Sequence, residues 1–152
     1  MSLTQRLADL EIELASMHGP YGAYVPAKRV GNLIYVAGQV PMKDGKLMAS
    51  GPVPSRCSIK AAKAAARQCV INALSAVKAV EGSLVMLTGV VRIGVFISAD
   101  VDFTDHPNIA NGASEFFIEL FGETGHHVRT TVGVTSLPLG AAVEIEVIFQ
   151  AR

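Results

Sequence analysis

Residues 128–149, VRTTVGVTSLPLGAAVEIEVIF, constrain the fold more than any other part of the chain. They divide into two runs of alternating apolar and polar residues around a Pro/Gly turn, the pattern of two strands each buried on one face. Val128, Val132 and Val134 fall on one side of the first run, and Val143, Ile145, Val147 and Phe149 on one side of the second. Arg129, Thr131 and Gly133 take the opposite side, as do Glu144 and Glu146. A hairpin with Val132 opposite Ile145 and Val134 opposite Val143 keeps every apolar residue on the core face. That register sets Glu144 against Gly133, four positions from Arg129, so the two charges lie about 13 Å apart along one chain. A small ligand cannot touch both at that distance. If both serve one site, the expectation is that they come from neighbouring subunits.

The rest of the chain supplies helices to cover such a sheet. Residues 1–14 form a charged amphipathic stretch, expected as a short surface helix. Residues 25–30 and 33–40 read as strands joined by a tight turn near Gly31, and residues 42–58, with Gly45, Gly51, Pro52 and Pro54, as an irregular connection. In residues 59–80 the apolar positions Ile59, Ala62, Ala66, Cys69, Ala73, Leu74, Val77 and Val80 recur at helical spacing, and Gly82 stands where a C-terminal cap belongs. A strand follows at 90–98. Pro107 opens a second helix with the stripe Ile109, Ala113, Phe116, Phe117 and Leu120, ended by Gly122. This order predicts an α+β fold in a single domain, residues 1–152, with a mixed sheet and both helices on one face. The other face would then carry Arg129 and the glutamates.

The composition bears on that uncovered face. Charged residues make up 17% of the chain against 50% hydrophobic, and soluble chains average roughly 25% charged. A domain so sparsely charged is expected to cover part of its surface with further copies of itself. Thirteen basic and thirteen acidic side chains give no net charge, and the cations are scattered. That excludes a nucleic-acid partner held by a basic stripe. The most apolar region, 84–99, is interrupted by Gly89, Arg92 and Gly94 and is too short and broken to span a membrane. A cytoplasmic location is expected. Cys57 and Cys69 have no C-x-x-C spacing, so neither a disulfide nor a zinc framework is expected; Cys69, on the apolar stripe, belongs to the core.

The chemistry-bearing candidate is Arg129. A guanidinium presents a rigid fork of donors that matches a carboxylate, which a lysine cannot do; a solvated strand arginine gives the same sequence pattern. His126 and His127 are adjacent, so on a strand they would point to opposite faces. No ligand cluster accompanies them, and they are read as a loop or strand entry. His18 and His106 are read as lone loop histidines.

Three blocks carry a family resemblance. Arg129 opens a strand that runs into Val132-Gly133-Val134, then Leu137-Pro138, then Val143-Glu144-Ile145-Glu146. Residues 31–41, GNLIYVAGQVP, form a second block, and Asn111 with Glu115-Phe116-Phe117 a third. In this order, over roughly residues 22 to 149, they resemble the Rid family, the YjgF-like reactive intermediate deaminases. The resemblance implies a homotrimer with clefts between subunits and no cofactor. It implies hydrolysis of 2-imino and enamine acids of the 2-aminoacrylate type to 2-keto acids and ammonia. It assigns Arg129 to the substrate carboxylate and Glu144 to the attacking water. Tyr24 would close the cleft, and Gly31, Asn111 and Thr131 would complete the substrate-binding residues. The chain departs from the commonest members at Thr131, where they carry Cys, and at Ala37, where they carry Ser. Both changes bear on substrate preference.

Two other functions fit parts of the pattern. An arginine-lined cleft could hold a keto acid or amino acid as a regulatory ligand, without catalysis. An endoribonuclease or translation inhibitor is the other, and the neutral charge and the lack of a paired-His or Lys/His constellation count against it. A chorismate-mutase pocket would call for more cations than this face supplies.

Overall fold

The computed structural model describes every residue except His18 and Pro20. The chain runs through helix α1 (Leu3–Asp9), strands β1 (Ala27–Val30), β2 (Leu33–Gln39), β3 (Met42–Lys43) and β4 (Lys46–Leu47), helix α2 (Ile59–Glu81), strand β5 (Leu87–Ser98), helix α3 (His106–Phe121), and strands β6 (Val128–Val134) and β7 (Val143–Ala151). The long helix forms as its stripe requires. Ser58 caps its start by accepting the Ala61 N–H, and Gly82, at φ 83°, ends it by donating its N–H to the Lys78 carbonyl. The small residues Ala62, Ala65, Ala66, Ala73 and Ala76 are fully buried and let α2 lie close to its neighbours. On α3, Gly112 serves the same end. A Cβ there would collide with the Lys63 carbonyl oxygen, so the two helix backbones meet directly.

The main sheet has the order β1-β2-β7-β5-β6, antiparallel throughout except for the parallel pair β5–β6. Helix α3 connects that pair, which makes β5-α3-β6 a βαβ unit. Helix α2 packs on β7 and β2, α3 packs on β5 and β6, and both lie on one face, as the sequence predicts. Ile34, Val95, Ile97, Ile145, Phe117 and Phe149 close the core between the layers. Helix α1 rests on α3, where the Arg6 guanidinium donates to the Leu120 carbonyl at 2.9 Å.

Several expectations are corrected. The N-terminal helix ends at Asp9, well short of residue 14. The connection at 42–58 contains the small hairpin β3–β4. The largest correction concerns residues 128–149, whose two strands are not partners. Strand β5 lies between them, hydrogen-bonded in parallel to β6 and antiparallel to β7. The phase of β6 is also opposite to that expected. Paired residues of neighbouring strands share a face, and Arg129 pairs with Ile93, Thr131 with Val95 and Gly133 with Ile97. Arg129 therefore lies on the helix side, while Val128 and Val132 face the open side and are 66% and 41% exposed. The apolar residues of β6 mark a surface that this single chain leaves bare.

Cys69 is fully buried in the core, Cys57 is also buried, and both are free thiols. No helix among the described residues is long and apolar enough to cross a membrane.

Candidate functional site

Strand β6 is the sheet edge, and its helix-side residues look across at the first half of α3. Asn111 and Ser114 are three apart on α3 and so share one face. Both meet Arg129. One guanidinium nitrogen, Nη1, donates to Asn111 Oδ1 at 2.8 Å and to Ser114 Oγ at 2.9 Å, and Nη2 reaches the Pro107 carbonyl at 3.4 Å. The Nη1 hydrogens are thus both committed, Nη2 makes one long bond, and Nε has no partner among the described residues. Nε and Nη2 together form the side of the fork that accepts a carboxylate in a bidentate way.

Two residues along the same face, the Thr131 hydroxyl is buried and makes no hydrogen bond among the described residues. A hydroxyl placed there can donate to or accept from a water or a ligand. Beyond it, a Cβ at Gly133 would stand 2.7 Å from His106 Nε2, so glycine at this position admits the imidazole to the strand. That ring packs edge-on against Phe103. His106, expected as a lone loop residue, instead opens α3 at the far end of this row. His18 lies outside the described residues.

Glu144 is elsewhere. It pairs with Phe96 on β5 and so faces the open side, two strands from β6. Counted through the register, the Cα atoms of Arg129 and Glu144 are about 14 Å apart, with their side chains on opposite faces of the sheet. This replaces the hairpin geometry expected from the sequence. The Glu144 carboxyl lies against Gly38, where a Cβ would be 2.9 Å from its Cδ. Among the described residues it makes no hydrogen bond or ion pair. Burial, and then the neighbouring Glu146 charge, push its pKa up. Glu146 itself pairs with Arg92 at 3.2 Å.

Of the other candidates, the fold brings Asn111 and Thr131 to Arg129 and leaves Tyr24 and Gly31 apart. Gly31 occupies the β1–β2 turn at φ 59°, at the opposite edge of the sheet from β6. Tyr24 is exposed and borders a cavity of about 1200 Å³ between the N-terminal segment, α2 and the β3–β4 hairpin. None of the residues around Arg129 lines that cavity.

The sequence reading missed Ser114 and His127. Ser114 Oγ lies 2.9 Å from His127 Nε2, and His127 Nδ1 lies 2.7 Å from the Gly125 carbonyl. The signal for Ser114 was its spacing from Asn111. For His127 there was none, because a residue just ahead of a strand acquires its neighbours only when α3 folds back.

The model of the family described as "YjgF/chorismate mutase-like, putative endoribonuclease" matches residues 4–150. Among curated proteins, the 2-iminobutanoate/2-iminopropanoate deaminase of Dermatophagoides farinae is 36% identical over 128 residues, covering 84% of each chain. Protein TCP17 of Trypanosoma cruzi is 34% identical, over 95% of this chain and 91% of its own. Among solved structures, a protein of unknown function from Agrobacterium tumefaciens superposes with a TM-score of 0.87 at 35% identity, over 98% of this chain and 91% of that one.

Proposed function

The chain belongs to the YjgF/Rid family, and on that premise we propose that it hydrolyses 2-imino and enamine acids to 2-keto acids and ammonia. The observation that carries this reading is the half-used guanidinium of Arg129. Its Nη1 is tied to Asn111 and Ser114, and its Nε edge is left for a carboxylate. The buried Thr131 hydroxyl stands on the same face and supplies a hydrogen-bonding group to the ligand or to a water beside it. The 36% identical mite deaminase supports the same class of reaction.

The chemistry asks little of the protein. An enamine takes a proton at C3 to become the imine. Water adds to the imine carbon, and the resulting carbinolamine loses ammonia to leave the ketone. An anchored substrate with a positioned water accelerates such a step by orientation. Glu144 orients or deprotonates that water. Its raised pKa makes it a better base than an ordinary surface carboxylate. Because Glu144, Gly31 and Tyr24 all stand away from Arg129 within one chain, the complete site joins two copies. The homotrimer uses the bare face bearing Tyr35, Val128 and Val132 as part of its interior.

The test is to generate 2-aminoacrylate in situ and follow keto-acid release with and without the purified protein. Acceleration that disappears in Arg129→Ala is the expected result. A protein that binds keto acids through Arg129 but leaves release at the spontaneous rate is a regulatory binder. The neutral charge and scattered cations remain the argument against ribonuclease action.

A further inference from the structure

The carbonyl oxygen of Gly125 can only accept a hydrogen bond, so His127 Nδ1, 2.7 Å away, carries the proton. In the neutral ring Nε2 is then bare, and the Ser114 hydroxyl, 2.9 Å away, donates to it. With its proton directed at the imidazole, Ser114 Oγ offers its lone pairs to Arg129 Nη1, also at 2.9 Å. A serine within a helix otherwise turns its hydroxyl toward the carbonyl four residues back. Here the imidazole provides a reason to point elsewhere. Donation therefore runs in one direction, from Arg129 to Ser114 to His127 to the Gly125 carbonyl. The imidazole is itself held edge-on to Phe117, at 6.1 Å between centroids.

We propose that His127 is a positioning residue for Arg129: through Ser114 it holds the guanidinium with its Nε edge toward the cleft, and its protonation is coupled to occupancy of that edge by a carboxylate. The proposal rests on the carboxylate-clamp reading of Arg129. The groups around the ring support the coupling. Helix α3 faces it with Ser114 and Phe117, which do not titrate in this range. The turn at Gly125 faces it with a carbonyl, strand β6 contributes the Arg129 cation, and its own segment contributes His126. Burial first, and then the Arg129 and His126 charges, hold the imidazole below its usual pKa despite the Gly125 bond. A carboxylate on Arg129 offsets one of those charges and favours protonation of His127. The protonated ring still holds Ser114, now by donating Nε2–H to Oγ, whose other lone pair stays on Arg129 Nη1. By linkage, acid then tightens carboxylate binding. For unit charges about 9 Å apart at an effective dielectric of about 40, the effect is roughly fivefold.

The test uses pyruvate, whose carboxylate stays ionised throughout, with calorimetric titration at pH 7.5 and pH 5.0 and imidazole 15N shifts, all in Glu144→Gln protein so that titration of that carboxyl does not enter. Nδ1–H is the expected tautomer at pH 7.5, with pyruvate raising the pKa of His127 and binding more tightly at pH 5.0, by up to about fivefold. Two variants separate positioning from packing. His127→Gln keeps an acceptor for Ser114 but has no titrating proton, so it should bind like its Glu144→Gln parent at pH 7.5 and lose the pH effect. His127→Phe keeps the contact with Phe117 but can neither accept from Ser114 nor donate to it, so it should bind about tenfold more weakly. His106→Gln and His126→Gln should retain the pH effect.

An Nε2–H tautomer, normal binding by His127→Phe, or a pH effect that survives His127→Gln would each overturn the proposal. Failure of the clamp itself looks different. In that case Arg129→Ala binds pyruvate as well as wild type does.

Discussion

On the helix side of the sheet, Val95, Ile97, Ile145 and Phe149 are sealed beneath α2 and α3, whereas on the other side Tyr35, Val128 and Val132 lie open beside Glu144 and Glu146. The covered face holds Arg129 at its margin, where β6 passes α3 and the guanidinium finds Asn111 and Ser114. The open face holds a carboxylate with no partner among the described residues and an elevated pKa. On the proposed function, each face thus carries half of the catalytic pair, turned away from the other half. Strand and helix geometry within one chain cannot unite them. A second copy can.

The largest effect should come from the covered margin. Arg129→Ala should lower the deaminase rate by at least about 100-fold, the worth of a charge-assisted bidentate contact. It should cost only about 1–2 kcal/mol of stability, from the stranded Asn111 and Ser114 acceptors. Arg129→Lys should be nearly as inactive, because a point charge does not reproduce the fork. Keto-acid release with denaturant melts on the same samples checks both halves, and a well-folded, fully active Arg129→Ala protein would sink the clamp.

Glycine substitutions probe the difference in packing directly. Gly112→Ala drives a methyl group into the Lys63 carbonyl between α2 and α3, and should cost about 3 kcal/mol or more, since backbone has to move. Gly94→Ala on the open face meets the end of the Glu146 side chain, with Oε1 2.8 Å away. That group can swing aside, so the cost should be under about 1 kcal/mol. Urea midpoints that rank the two the other way would contradict the distinction between faces.

Mixed trimers of the proposed assembly ask whether the two faces meet across subunits. Arg129→Ala and Glu144→Ala, each inactive alone, are co-refolded in equal amounts, and random hybrids of cyclic symmetry leave about a quarter of the clefts with both residues intact. Activity should return to about that fraction. Hybrids verified by mass that remain inactive would place both residues in one subunit's site or remove Glu144 from it.

The smallest effect is on pH-dependent stability at Glu144. Its folded pKa lies above the ordinary value. The neutral form is therefore the favoured one, and the carboxyl's contribution is full below roughly pH 4.3 and lost as pH rises through the folded value. Glu144→Gln should match wild type in Tm at pH 4 and melt slightly higher at pH 8. A lower melting point at pH 8 would mean that a cation from another copy holds the carboxylate in the assembly.

Much of this molecule was legible from periodicity. The α2 stripe, its Gly82 cap, the start of α3 at Pro107 and the Gly31 turn are local features, set by spacing and by residues with restricted backbone choices. Arg129 stood out for the same reason, as the one cation on a strand of small residues. Asn111 came only through the resemblance to the Rid family, and its contact with Arg129 only through the fold. Alternation reveals that β6 has two unlike sides, but not which side the helices cover. The apolar side was assigned to the core because burial within one chain is the usual cause of such a pattern, and here that side is the bare one. The insertion of β5 between β6 and β7, the parallel β5–β6 pairing, and the meeting of His127, Ser114 and Arg129 all depend on contacts between distant segments. Residue order carries no local signal for such contacts, because their free energy appears only when α3 crosses back over the sheet edge.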